Sequence, residues 1–400
     1  MRVSVLQENL KAAIAAAGSA VSLRSTLPVL GNLLLEAKDG QLRVAATDLV
    51  VGMNVYVSAK VDEEGAITVP VRLLSEWVAG LTPDRVDMSV NEKTQTLQIE
   101  CNGAVAKIKG IAAADFPLIA VPCAEAIEQD VEGWQSVEIP VATLVRVVER
   151  SVFAASTDAA RPTFTGVELT IRKGELMAVA TDGYRLSVVR EEITDLNTGM
   201  VEWQFIVPAA AMIDLAKLCK AADGARSVQL MVPAEAEPGG VAWRFFGDTE
   251  KRGTWHSVEV TTQLIAARFP DYGAIIPKAG PTTAAVIDRG AFARLVRRAH
   301  VFSRGDASIV ALTFSPETGL QVTSASAEMG ESESRMMAEV SGEALSISFN
   351  ARYLEEALGA TDAMQVVFEC TTPTRPILMH VAGESSQTFK HVIMPMYPPR

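Results

Sequence analysis

Internal repetition is the feature that most constrains this chain: a strand running into a helix, then a hairpin, then a second strand and helix, recurs three times along 400 residues. The opening strand–helix stretches are Val3–Ile14, Val137–Val148 and Val286–Arg297, and in each the apolar residues pass from alternation to helical spacing. The hairpins cover Leu33–Asp48, Val167–Asp182 and Ala311–Ala325, turning at Gly40, Gly174 and Gly319, where glycine supplies the positive φ of a tight turn. The closing stretches are Ile67–Trp77, Phe205–Leu215 and Ile347–Ala357; Pro70 and Pro208 suit a first helical turn, and Asn350 suits the corresponding cap. The three turn glycines lie 134 and 145 residues apart, too far for solenoid units of ~20–50 residues and right for whole domains.

The pattern predicts helices at 7–17, 70–81, 140–152, 208–222, 288–303 and 350–359, two in each repeat. The expected fold class is α+β, with three similar sheet-plus-two-helix domains at 1–121, 130–264 and 282–400. The joins, near 112–133 and 266–283, share a word: Asp115-Phe116-Pro117 in the first and Arg268-Phe269-Pro270-Asp271-Tyr272 in the second.

Charge is unevenly spread. A net charge of −12 makes the average surface repel nucleic acid and anionic membranes, so any DNA contact has to come from a segregated basic surface. The six helices carry such a bias, with eleven bases against seven acids. In the fifth helix Arg294, Arg297 and Arg298 share one face, while Phe292, Leu295, Val296 and Ala299 supply the apolar side. A solvated face would explain one such helix; a basic excess carried by helices of the second and third repeats, with those of the first balanced, weakens that explanation.

No apolar run approaches the ~18 residues of a membrane span. Glu8, Asn9 and Lys11 interrupt the stretch where a leader would need an apolar core, so the start is expected to belong to the mature protein. Cys101, Cys123, Cys219 and Cys370 are widely spaced, which suits reduced thiols in the cytoplasm. No P-loop, dinucleotide fingerprint, nucleophile elbow or zinc-binding helix pair is present in the sequence. His256, His300, His380 and His391 lack ligand spacing, and the pairs Glu63-Glu64, Glu191-Glu192 and Glu355-Glu356 read as solvated charges. The expectation is no catalytic site, no cofactor and no metal.

Four words, in order within the three repeats, give the chain a resemblance: Thr26–Leu35 (TLPVLGNLLL), Ala180–Leu186 (ATDGYRL), Arg268–Tyr272 (RFPDY) and Val392–Met396 (VIMPM). End to end it resembles the bacterial DNA polymerase III β subunit family, the sliding clamps. The resemblance implies the DNA clamp fold and a head-to-tail homodimer closing a ring of six similar domains around double-stranded DNA. It also implies a non-catalytic processivity factor of the cytoplasm, associated with the nucleoid, and no membrane partner. The implied partners are the polymerase III catalytic subunit, the clamp loader, and other polymerases and repair proteins that carry clamp-binding peptides.

Carried over residue by residue, the resemblance places a partner-peptide pocket at Phe164, Thr181, Gly183, Tyr184, Arg185, Leu186, Pro270, Ile275, Tyr353, Val392, Met394, Pro395 and Met396. DNA phosphates would meet Arg24, Arg72, Arg146, Arg150, Lys217, Lys220, Arg294, Arg297 and Arg298, and the dimer interface would use Ala106 and Ile108 opposite Val301 and Phe302. The sequence departs from the family pattern at Tyr184, where a His is common, at Ala274, where a basic residue is often found, and at Ala106, a place for a large apolar residue. The competing readings are a clamp-like scaffold or second-copy clamp that binds proteins with reduced DNA function, and a hydrolase built on paired carboxylates.

Overall fold

The computed structural model describes residues 1–22, 25–117, 119, 134–193, 202–221, 225–234, 239–247, 254–278, 280–303, 308–326, 329–385 and 387–396. Among them are six α-helices: α1 (Gln7–Ala17), α2 (Val71–Ala79), α3 (Val141–Ser151), α4 (Ala209–Ala221), α5 (Arg289–Phe302) and α6 (Ala351–Gly359). All six fall within the spans expected from periodicity, trimmed by a residue or two at most ends. Pro70, Pro140 and Pro208 each end the strand that precedes a helix rather than entering its first turn, because their fixed φ suits the extended residue at the boundary. Asp288 and Asn350 cap α5 and α6, accepting from the amides of Ala291 (2.6 Å) and Arg352 (2.9 Å).

The chain folds as two compact units, Met1–Val145 with Ala210–Leu264, and Arg146–Ala209 with Ile265–Arg400. The middle repeat contributes to both, because its strands are absorbed into its neighbours' sheets.

In the first unit, strands Asn32–Lys38, Gln41–Thr47 and Val51–Ser58 continue directly into Ser257–Gln263, Gly240–Phe246, Ser227–Pro233 and Trp134–Pro140, with Gly65–Pro70 on the far side. The hairpin at Asp39-Gly40 has φ of 48° and 73°, the mirror-image turn that matches the twist of its strands. A second sheet runs Lys60–Glu63, Arg2–Leu6, Arg85–Asn91, Thr96–Cys101, Ala104–Lys109. A buried polar ladder crosses the join between Val51–Ser58 and Ser257–Gln263. Glu36 pairs with Arg43 (2.7 Å), Arg43 Nε donates to Asn54 (3.0 Å), and Asn54 and the Tyr56 hydroxyl donate to Glu259 (3.3 and 3.2 Å), which also holds Arg244 (Nε, 3.0 Å). Asn54, Arg244 and Glu259 are all buried. Burial, then the neighbouring Glu259, pushes the Tyr56 hydroxyl far up, so it remains a proton donor.

The second unit repeats the plan. Strands Gly166–Arg172, Glu175–Thr181 and Arg185–Glu192 continue into Phe389–Ile393, Ile377–Val381, Gln365–Cys370, Thr283–Asp288 and Glu339–Gly342, with Glu202–Pro208 at the other end. A four-stranded sheet runs Gly330–Met336, Gly319–Ser326, Ile309–Ser315, Leu345–Asn350. Each join therefore pairs the strand after one repeat's hairpin with the last strand of the next repeat: Val51–Ser58 with Ser257–Gln263, and Arg185–Glu192 with Phe389–Ile393. Two strands of these same kinds, Gly330–Met336 and Ala104–Lys109, are left at sheet edges.

Candidate functional site

The segment Thr181–Leu186 is a turn built by its own side chains. Thr181 Oγ1 donates to the Arg185 carbonyl (2.6 Å) and accepts from the Gly183 amide (3.1 Å), while Asp182 Oδ1 accepts from the amides of Tyr184 (2.8 Å) and Arg185 (3.0 Å). Gly183 sits at φ +93°, which other residues rarely adopt. The turn throws Tyr184 outward, 58% exposed, and sends Leu186 into the core. The Tyr184 carbonyl accepts from the Met394 amide (2.9 Å), and Leu186 stands opposite Val392. Two motifs about 200 residues apart in the chain thus meet through the backbone. Leu186 and Val392 join Val179, Ile206, Phe269 and Leu378 in one apolar cluster, with Tyr272 and Ile276 packed against it.

Arg185 is buried and held from several sides. Its Nε donates to Asp182 Oδ2 (3.1 Å), its Nη1 pairs with Glu356, and its guanidinium lies 4.4 Å from the Tyr353 ring centroid and 5.6 Å from that of Phe153. Burial, with the Asp182 charge behind it, raises the Tyr353 hydroxyl above its ordinary value. Beneath lies His391, fully buried against Phe153 and held neutral by that burial, its pKa pushed down to about 3. Arg161 connects Phe164 to the turn, lying 5.2 Å over that ring and donating to the Asp182 carbonyl (3.3 Å).

The structure therefore brings Thr181, Gly183, Tyr184, Arg185, Leu186, Tyr353, Val392 and Met394 together directly, and Phe164 through Arg161. Pro270 lines a neighbouring cavity of about 730 Å³ with Glu168, Gln204 and Tyr272, where burial raises the Glu168 carboxyl. Ile275 is exposed on the same connecting segment, and its amide donates to Tyr272 O (3.0 Å). Pro395 and Met396 continue past the join, the Met396 amide donating to Ser348 O (2.8 Å). Sequence reasoning misses Asp182 and Glu356. Asp182 stands inside the Ala180–Leu186 motif, whereas Glu356 reads as a solvated charge. Two of the acidic pairs are in fact engaged: Glu356 holds Arg185 and Arg352, Glu355 faces His300 (2.9 Å), and Glu191 grips Arg146.

The basic residues separate into two groups. Arg150 is buried, bidentate on Glu384 (2.9 and 2.9 Å) and stacked on Phe389, so it offers no exposed charge to a phosphate. Arg146 is bidentate on Glu191 (2.7 and 2.7 Å) and Lys217 pairs with Asp214 (2.8 Å), which compensates both locally. Arg72 and Lys220 are exposed. Arg294, Arg297 and Arg298 stand exposed on α5, opposite buried Phe292, Leu295, Val296 and Ala299, with no ion pair among the described residues. Arg24 lies outside the described residues.

The residues expected at the dimer interface divide between core and surface. Ala106 and Ile108 face the core of their own sheet, opposite Ile99 and Leu97, and Ile108 is only 2% exposed. Strand alternation instead turns Val105, Lys107 and Lys109 outward, with Val105 53% exposed. Val301 is exposed and Phe302 half-buried at the end of α5.

Residues 1–120, 138–271 and 274–397 match the N-terminal, central and C-terminal domains of the DNA polymerase III beta subunit. A curated relative from Synechococcus elongatus, a beta sliding clamp, is 26% identical over 399 residues, covering 99% of each chain. The DNA polymerase sliding clamp of Bacillus subtilis shares the fold with a TM-score of 0.87 at 22% identity, covering all of both chains. The DNA polymerase III subunit beta of Pseudomonas aeruginosa aligns with a TM-score of 0.83 at 27% identity, over 99% of this chain and 100% of that one.

Proposed function

The chain belongs to the bacterial DNA polymerase III β subunit family, and from that premise we propose that it works as a DNA sliding clamp, non-catalytic and acting on DNA in the cytoplasm. The three domains of the clamp fold are read as 1–121, 130–264 and 282–400. No helix among the described residues is long and apolar enough to cross a membrane.

One observation carries the mechanism: the same strand join is made twice within the chain and left unmade once at each of two edges. Pairing Ala104–Lys109 of one chain with Gly330–Met336 of a second copy completes the third join, and two such contacts close a head-to-tail ring. The exposed faces carry Lys107 and Lys109 on one edge and Glu331, Glu333 and Arg335 on the other, with Glu333 paired to Arg335 (2.8 Å) and Glu331 left to meet a lysine. A ring around duplex DNA is retained by topology, so its contacts can be weak and blind to sequence. Exposed arginines on α5, which meet phosphates without reading bases, suit that role.

The test is loading onto nicked circular DNA with clamp loader and ATP, followed by linearisation. The protein should stay on the circle and leave the linear product; retention on linear DNA would overturn the reading. Arg297→Ala should lower the slope of log affinity against log salt by up to about 0.9, equally for all DNA sequences. A change confined to one sequence would remove Arg297 from the phosphate contacts.

The Tyr184–Met394 join is the proposed pocket for polymerases, the clamp loader and other partners carrying short apolar peptides. Flexible Met394 beside exposed Tyr184 gives a surface that adapts to several ligands. Ending the chain after Ile393 should abolish polymerase stimulation and loader binding together and leave the dimer intact. A truncated dimer that still stimulates polymerase would refute the pocket.

A further inference from the structure

The turn at the pocket has a counterpart in the first unit, matched in four hydrogen bonds. Thr47 Oγ1 donates to the Val51 carbonyl (2.9 Å) and accepts from the Leu49 amide (3.0 Å), and Asp48 Oδ1 accepts from the amides of Val50 (2.9 Å) and Val51 (2.7 Å). These are the four bonds of the Thr181–Arg185 turn. The join repeats as well: the Gln263 amide donates to the Val50 carbonyl (2.8 Å), as Met394 does to Tyr184, and Val51 faces Thr262 as Arg185 faces Ile393. Leu49 therefore stands for Gly183, Val50 for Tyr184 and Gln263 for Met394.

The substitutions change the chemistry of the site. Leu49 holds φ +76°, a conformation a bulky side chain rarely adopts. Leu49 and Val50 are 46% and 44% exposed, so the turn presents two neighbouring apolar side chains to solvent. Both line a cavity of about 670 Å³, with Gly52, Pro117, Ile119 and Trp134 among its walls. Among the described residues, no charged side chain lines it. Val51 replaces Arg185, and Asp48, whose Oδ1 is shared by two amides, stands in the turn but not among the described walls of the cavity. Such a wall offers no partner for a charged anchor, whose desolvation would go uncompensated, whereas an apolar anchor gains by leaving water.

We propose that this cavity is a second docking site, taking a short segment of a partner protein whose anchoring side chains are uncharged and apolar. Its occupant is inferred partly from the reading of the Tyr184–Met394 join as a peptide pocket. Glycine at 52 lets the walls Thr261 and Ile119 close on the strand, because a Cβ there would meet Thr261 Oγ1 at 2.6 Å and Ile119 Cγ2 at 2.7 Å.

The probe is the neutral peptide acetyl-Ser-Leu-Thr-Leu-Phe-amide, titrated calorimetrically into the full-length protein. Two peptides should bind per chain. Val50→Asp should weaken one of them at least tenfold and leave the other, and Tyr184→Asp should do the converse. Replacing the probe's second Leu and its Phe by Lys should remove binding at the site left in Tyr184→Asp. One peptide per chain, lost in Tyr184→Asp and unchanged in Val50→Asp, would overturn the second site and leave the pocket reading standing. One peptide lost only in Val50→Asp would keep the second site and remove the first. A charged probe that binds Tyr184→Asp as well as the neutral one would overturn the stated chemistry. Val50 is half exposed, and a circular dichroism spectrum unchanged in Val50→Asp would establish that loss of binding is not loss of fold.

Discussion

Arg244→Met should destabilise the first unit by about 3–5 kcal/mol, because it strands a carboxylate that the fold has removed from water. Glu259 is buried where the strands of two repeats meet, and Arg244 is its only cationic partner among the ion pairs of the described residues. The remaining donors, Asn54 at 3.3 Å and the Tyr56 hydroxyl at 3.2 Å, are neutral and long. They bring no positive charge to offset the carboxylate. Urea unfolding followed by circular dichroism should show a lower midpoint for the single variant. Arg244→Met with Glu259→Leu should recover part of the loss, since the buried carboxylate is no longer stranded and only the neutral donors of Asn54 and Tyr56 lose their acceptor. A single variant within about 1 kcal/mol of the parent would mean that the ladder does not hold the join.

The second large effect is expected at the sheet edge. Val105 is exposed in the single chain, so Val105→Asp should fold normally, yet in a paired edge it removes an apolar contact and adds a carboxylate opposite a strand that already carries Glu331 and Glu333. Sedimentation should show the dimer dissociation constant raised at least a hundredfold, with circular dichroism unchanged. Ile108→Asp, three residues along, should behave differently: its side chain lies in the unit's own core, so the unit itself should unfold. Equal dimerisation of Val105→Asp and the parent would remove this edge from the interface.

Much of the fold is legible because each repeat carries its own punctuation. A glycine at each hairpin, a proline or capping residue before most helices, and a switch from alternation to helical spacing locate the six helices of the described residues. The inward turn of Ile108 is legible by the same reasoning. Lys107 and Lys109 alternate with Ile108, so period 2 alone turns Ile108 inward. The burial of Arg150 is not legible, because its partner Glu384 lies 234 residues away and nothing local marks the pair. The role of Glu356 is hidden for the same reason, 171 residues from Arg185. The twin turn is visible as the word Ala-Thr-Asp at 46–48 and 180–182, but its neighbours differ, and only the hydrogen bonds reveal the equivalence.

The strand joins also divide the proposed ring into two thermodynamic kinds of seam. Seams within a chain close unimolecularly and hold at any dilution, whereas those between chains obey mass action and weaken as the protein becomes scarce. A machine that opens the ring need only act on the concentration-dependent seams. The buried ladder, by reinforcing one seam that dilution already spares, directs any applied strain toward the edges where two molecules meet.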